Sequence, residues 1–128
     1  MEQDMFEVSK EAYFSAAHHL RGYGGKCESL HGHNWKVRLC VTAAELDSLG
    51  MVIDFKVLAA VLEEILSRLD HHLINEVPPF DELNPSAENI ARYIAEEADR
   101  RLSNDRVTVQ RCEVWESEGS RAISFVDR

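Results

Sequence analysis

The sequence predicts an α+β domain with the element order ββααββ, and three observations lead there. Trp35, Val37, Leu39 and Val41 alternate with Lys36, Arg38, Cys40 and Thr42, a period of two that marks a strand with one buried face. Between residues 54 and 98 the apolar positions fall at helical spacing in two blocks. Two β-rich runs, "RVTVQRCEVWES" and "RAISFVD", close the chain around a short turn at Gly119.

The elements follow in order. Residues 5 to 17, "MFEVSKEAYFSAA", give a first strand through Phe6, Val8, Tyr13 and Phe14. The glycines of "RGYGGKCES" open a loop before the second strand. Asp54 stands as an N-cap ahead of Phe55, Leu58, Ala59, Leu62, Ile65, Leu66 and Leu69, one face of a helix that ends near Asp70. Pro78, Pro79 and Pro85 break the chain, and Ser86 caps a second helix carrying Ile90, Ala91, Tyr93, Ile94 and Ala98.

Composition limits what such a domain can do. At 128 residues, without repeat, low-complexity tract or linker, a single domain spanning residues 1–128 is expected, with a core that needs no staple. No apolar run approaches the roughly 20 residues that span a bilayer. The start "MEQDMFEVSK" has no signal-peptide pattern, so a cytoplasmic protein is expected. Three cysteines form no framework and read as thiols. A formal charge of −9 argues against broad contact with nucleic acid or an anionic membrane; an anionic small substrate would need a local basic pocket.

The stretch "KCESLHGHNWKVRLCV" carries the chemistry. Side chains two apart on an extended chain point the same way, so His31 and His33 present two imidazoles to one point, with Gly32 leaving room between them. If the first two strands pair as an antiparallel hairpin, His18 faces that pair. Three neutral imidazoles leave zinc one open position, as in catalytic sites. A bare H-x-H is a weak signal by itself, and a closed structural site with Cys27 as fourth ligand is a competing reading that the Cys-x3-His spacing permits.

Further along the chain, "FSAAH", "C-x-x-x-H-G-H-N", "MVIDF", "LDHH-x-x-N", "NPSAEN" and "WES" occur in the order and spacing of one family. From about Phe14 to Phe125 the chain resembles the 6-pyruvoyl-tetrahydropterin synthase and 6-carboxy-tetrahydropterin synthase family. The resemblance implies the tunnelling fold: a four-stranded antiparallel sheet with two helices on one face, assembled as a homohexamer built from two trimers. It implies that His18, His31 and His33 bind zinc, that Cys27 is the catalytic base, that Asp70 and His71 form the second catalytic pair, and that Glu116 anchors the pterin. The short Cys-x3-His-Gly-His spacer is similar to that of the carboxy branch, which acts in queuosine precursor synthesis; the pyruvoyl branch has a longer one. Departures are mild: Trp35 for tyrosine or phenylalanine, Ser86 for threonine, Ile74 for leucine, and "WES" for Glu-Thr.

The implied roles suit the chemistry of a pterin triphosphate substrate. Zinc on its side-chain hydroxyls would acidify adjacent protons. A thiol near a dication and a histidine ionises more readily, so Cys27 can take a proton, and His71 held by Asp70 can carry a second one. Glu116 matches the two N–H donors on the pterin's guanidine-like edge. By alternation Glu118 falls on the same face as Glu116, and only the resemblance selects Glu116. His19 and His72 read as bystanders, Cys40 and Cys112 as small core residues, and Arg21 and Lys26 as weak candidates for the triphosphate. A non-catalytic zinc-stabilised binding module is the reading of another class.

Overall fold

In the computed structural model, which describes residues 4–25 and 28–126, four strands form one antiparallel sheet in the order β1-β2-β3-β4. The strands are β1 (Phe6–His18), β2 (His31–Ala43), β3 (Thr108–Ser117) and β4 (Ser120–Phe125). Helices α1 (Phe55–Ser67) and α2 (Ala87–Leu102), with a short 3-10 turn at Ile74–Glu76, lie between β2 and β3. The ββααββ order and the α+β class expected from the sequence are those observed. Among the described residues no helix is long and apolar enough to cross a membrane.

Alternation sorts the sheet into two unlike faces. Phe14, Trp35, Val37, Leu39, Cys112 and Val114 point to one side and are buried against Leu58, Leu62, Ile65, Ile90 and Ile94 of the helices. At roughly 1.5–3 kcal/mol for each large apolar side chain buried, this layer holds the helices to the sheet. Both caps form as the sequence suggests: the Asp54 carboxylate accepts from the Lys56 N–H and the Ser86 hydroxyl from the Asn89 N–H. Phe55, placed on the buried helical face by its spacing, is 55% exposed, because it sits in the first turn before α1 meets the sheet.

The other face is charged. Tyr13, expected among the strand's apolar residues, points out there and is exposed. Glu113, only 2% exposed, is compensated by Arg111 Nε at 3.0 Å, Arg121 at 2.9 Å and Arg38 at 3.5 Å, as a buried carboxylate must be. Cys40 lies under this network, not in the apolar core where the sequence reading put it. Burial pushes its thiol up to about 12 and raises that of Cys112 as well, so both are inert near neutral pH.

The outer edge of β1 is partly covered. Asp70 and the residues after it run alongside it: Ser15 N–H donates to Asp70 Oδ1 (2.9 Å), His71 N–H to Ser15 C=O (2.6 Å) and Ala17 N–H to His72 C=O (3.3 Å). This strap covers the end of the sheet where the histidines cluster.

Candidate metal centre and catalytic pair

The hairpin pairing expected from the sequence holds: His18 is opposite His31 and Ala16 opposite His33 in the β1–β2 register. All three imidazoles therefore project from the helix-facing side at one end of the sheet. An added Cβ on Gly32 would meet only Ala16 O, at 3.8 Å, so strand alternation rather than the glycine's lack of bulk brings His31 and His33 together. Trp35 forms the floor, edge-to-face with His18 and His33 at centroid distances of 4.8 and 5.3 Å. Its indole N–H reaches the Ala16 carbonyl (3.3 Å), an anchor that a phenylalanine there would lack.

Backbone carbonyls aim two of the rings. His18 Nδ1 is 2.8 Å from Pro85 O and His31 Nδ1 is 2.8 Å from Ser29 O, so each Nδ1 carries the proton and each Nε2 presents a lone pair. Those two Nε2 atoms are 3.1 Å apart. His33 Nε2, sealed from solvent, lies 2.9 Å from Glu116 Oε1 but out of line for a hydrogen bond. Ligand atoms of His18, His31, His33 and Glu116 all lie within 4.8 Å of one another. Neutral nitrogens and a carboxylate converging on one point make a donor set for a divalent metal such as zinc. Burial pushes the His18 imidazole below its usual value, against the opposing pull of the Pro85 carbonyl and Glu116, which keeps it neutral as a ligand must be. His18 is buried while the other three are partly open, so the cluster faces solvent on one side.

Glu116 belongs to this face and its two acidic neighbours do not. Glu113 faces the charged side. Glu118 lines a cavity of about 360 Å³ with Lys36 and Trp115 on that same side, because the register shift after Trp115 and the turn at Gly119 break the alternation that would have placed it beside Glu116.

Asp70 and His71 form a pair of their own. His71 Nδ1 is 3.0 Å from Asp70 Oδ1, and the His71 ring is 81% exposed. The Ser15 N–H, and after it the His71 contact, hold the Asp70 carboxyl below the usual carboxylate range. His71 adopts φ +59°, the one positive φ among the described residues other than glycine, a strained state that the Ser15 and Asp70 contacts maintain. Its cleft, about 500 Å³, is lined at the strand ends by Ser15, Ala16, Ala17, Gly32, His33 and Asn34, so it reaches the edge of the histidine cluster. Among the described residues no hydrogen bond or ring contact joins His71 to the histidine cluster. Cys27 and Lys26 lie outside the described residues. Arg21 is occupied elsewhere: its guanidinium donates to the carbonyls of Asn75, Phe80 and Leu83.

What sequence reasoning missed is the carbonyl and amide support around the ligands, above all Pro85, Asn84 and Asn75. The signal was present as the asparagines of "LDHH-x-x-N" and "NPSAEN", whose roles are visible only once the backbone they bind is in place.

Known proteins resemble this chain in sequence and in fold. The family model described as 6-pyruvoyl tetrahydropterin synthase matches residues 7–125. A protein of Synechocystis sp. named 6-carboxy-5,6,7,8-tetrahydropterin synthase is 38% identical over 95 residues, covering 70% of this chain and 72% of that protein. A Rickettsia felis protein of the same name is 31% identical over 110 residues, covering 73% and 80%. Among solved structures, the Caenorhabditis elegans 6-pyruvoyl tetrahydropterin synthase superimposes with a TM-score of 0.83 at 22% identity, covering 99% of this chain and 100% of that one. The Plasmodium falciparum 6-pyruvoyl tetrahydropterin synthase does so with a TM-score of 0.75 at 27% identity, covering 95% and 99%.

Proposed function

The chain belongs to the 6-pyruvoyl tetrahydropterin synthase family, and from that membership we propose that it is a zinc-dependent 6-carboxy-5,6,7,8-tetrahydropterin synthase. It converts 7,8-dihydroneopterin triphosphate and water to 6-carboxy-tetrahydropterin, acetaldehyde and triphosphate in queuosine precursor synthesis, in the cytoplasm and as a homohexamer of two trimers. The observation that carries the reading is the convergence of His18, His31, His33 and Glu116 on one point, with imidazole lone pairs turned inward. The carboxy reaction is favoured over its pyruvoyl relative by the three-residue spacer between Cys27 and His31 and by the names of the relatives.

His18, His31 and His33 would hold the zinc, and the side open to solvent would admit the substrate's side chain. Zinc held there would supply Lewis acidity that makes protons on the substrate's side chain easier to remove. Cys27 takes such a proton as a thiolate. His71, its Nδ1 held by Asp70, presents Nε2 as the second proton carrier. Proton movement along the side chain allows triphosphate to leave, and a carbon–carbon cleavage that consumes one water then leaves the carboxylate on the pterin and releases acetaldehyde. Glu116 pairs with the guanidine-like edge of the pterin through two parallel hydrogen bonds.

His71 is 81% exposed, and among the described residues no hydrogen bond or ring contact joins it to the histidine cluster. That supports a site in which His71 serves the metal centre of a neighbouring chain.

Incubating the zinc-loaded protein with 7,8-dihydroneopterin triphosphate and identifying the products tests the reading. 6-Carboxy-tetrahydropterin with stoichiometric acetaldehyde supports it. 6-Pyruvoyl-tetrahydropterin without acetaldehyde assigns the other reaction of the family, and zinc binding with no turnover favours the binding module.

A further inference from the structure

Beyond His18 the chain runs through His19 and Leu20 into a turn at Arg21, and the backbone groups of these three residues are bound alternately on two sides. Leu20 faces the β2 side, exchanging hydrogen bonds with Glu28: Glu28 N–H to Leu20 C=O at 2.9 Å and Leu20 N–H to Glu28 Oε1 at 3.2 Å. His19 and Arg21 face the other side, where no strand runs. There two asparagine amides take a strand's place. Asn75 accepts from the His19 N–H (3.0 Å) and donates to its carbonyl (2.9 Å); Asn84 accepts from the Arg21 N–H (2.9 Å) and donates to its carbonyl (3.0 Å). A primary amide is the one small side chain that can both give and accept as a backbone strand does.

We propose that Asn75 and Asn84 are positioning residues of the metal centre, fixing the backbone on both sides of the His18 contact so that its Nε2 is aimed at His31. This rests on the reading of the cluster as a metal site. Asn84 immediately precedes Pro85, whose carbonyl accepts from His18 Nδ1, and the Asn84 carbonyl is itself bound by the Asn89 amide at the start of α2. The residue before a proline is restricted to extended conformations, so an amide locked to Arg21 leaves the Pro85 carbonyl little freedom. Asn75 is 7% exposed and fixes His19, the next residue along from the ligand. The support therefore reaches His18 from its own strand and from the carbonyl opposite its ring. Such outer partners fix the tautomer and direction of a ligating imidazole.

The test is Asn84→Asp, with Asn75→Asp beside it. Each keeps the size and the accepting oxygen but sets a second oxygen against a backbone carbonyl. Zinc affinity, measured by competition with a chromogenic chelator, should fall about 10–100-fold while the metal-free proteins keep their circular dichroism. Unchanged zinc affinity in folded variants, whatever their melting temperature, makes the asparagines structural only and overturns the proposal. Should neither variant fold, nitrogen-15 spectra of the metal-free wild type decide: a His18 proton on Nδ1 supports the proposal and one on Nε2 rejects it. Absence of zinc binding in the wild type removes the metal reading itself, and this inference with it.

Discussion

The Nε2 atoms of His18 and His31 face each other at 3.1 Å while the Nδ1 of each ring is turned to a backbone carbonyl. With both protons on Nδ1, two lone pairs point at each other, and neither ring can donate. Such a contact is repulsive unless a cation or a proton lies between the rings. Glu116 Oε1 approaches the same point from the β3 side, 3.6 Å from His18 Nε2 and 3.8 Å from His31 Nε2, which adds a further acceptor and no donor. The arrangement is shaped for a positive charge.

Removing one of these donors should therefore empty the site. His31→Ala is expected to abolish stoichiometric zinc while leaving the sheet folded, since His31 is partly exposed and the apolar core beneath Trp35 is untouched. Metal analysis of the purified variant checks this. Full occupancy would reject His31 as a ligand.

The two-residue period around Trp35 and the helical spacing of Leu58, Leu62 and Ile65 exposed the fold in the sequence, because each follows from a simple rule about which face is buried. The histidine cluster was legible for the same reason: parity and a hairpin register place three side chains. Legibility stopped where side chains or turns departed from the period. Tyr13 faces outward although it lies in an apolar run, and Glu118 leaves the face of Glu116 at the turn. The support from Pro85 and Asn84 joins residues more than 60 positions apart and ends on backbone groups or a ring that no local pattern ties to it, so the asparagine was visible in the sequence but its partner was not.

Glu116 sits where it could either close the metal's coordination or meet the substrate. As the pterin anchor it is dispensable for zinc, so Glu116→Gln should keep one zinc per chain and bind the pterin at least tenfold more weakly, the scale of losing a charge-assisted hydrogen bond. Metal analysis and equilibrium dialysis with a pterin provide the two readouts. Loss of zinc in this variant would instead make Glu116 the fourth ligand and close the site.

Asp70 links His71 to β1, and its depressed pKa fixes the sign of a pH effect. The Ser15 N–H is the chief cause, with His71 assisting and desolvation opposing. A carboxyl whose folded value lies below its unfolded value, about 3.9, adds stability that is complete above that pH and lost as the pH falls through the folded value. The difference in melting temperature between wild type and Asp70→Asn should therefore persist at pH 5 and close below about pH 4. A difference that survives at pH 2 would show that the ionised carboxylate is not the stabilising species.

Cys27 is expected to act as a base and not as an obligatory ligand, since the three imidazoles of His18, His31 and His33 already supply the ligands of a catalytic zinc. Cys27→Ala should retain zinc and bind the pterin, yet lose at least about a hundredfold in turnover, the lower end of what general base catalysis supplies. Loss of zinc together with loss of fold would restore the structural-site reading.

The two halves of the catalytic machinery are expected to meet across chains. His71 is 81% exposed and makes no hydrogen bond or ring contact with the histidine cluster among the described residues, and β4, with the part of β1 that its strap leaves uncovered, forms the sheet edges on which further copies can pair. Cys27→Ala alone and His71→Ala alone should both be nearly inactive. Unfolded and reassembled together in equal amounts, a given interface receives an intact Cys27 from one chain with a chance of one half and an intact His71 from its neighbour with the same chance. About a quarter of the interfaces in a symmetric ring are then complete, and activity should recover toward that fraction of wild type. Mass spectrometry of differently tagged chains establishes that mixed assemblies have formed. If they have and no activity returns, Cys27 and His71 act within one chain.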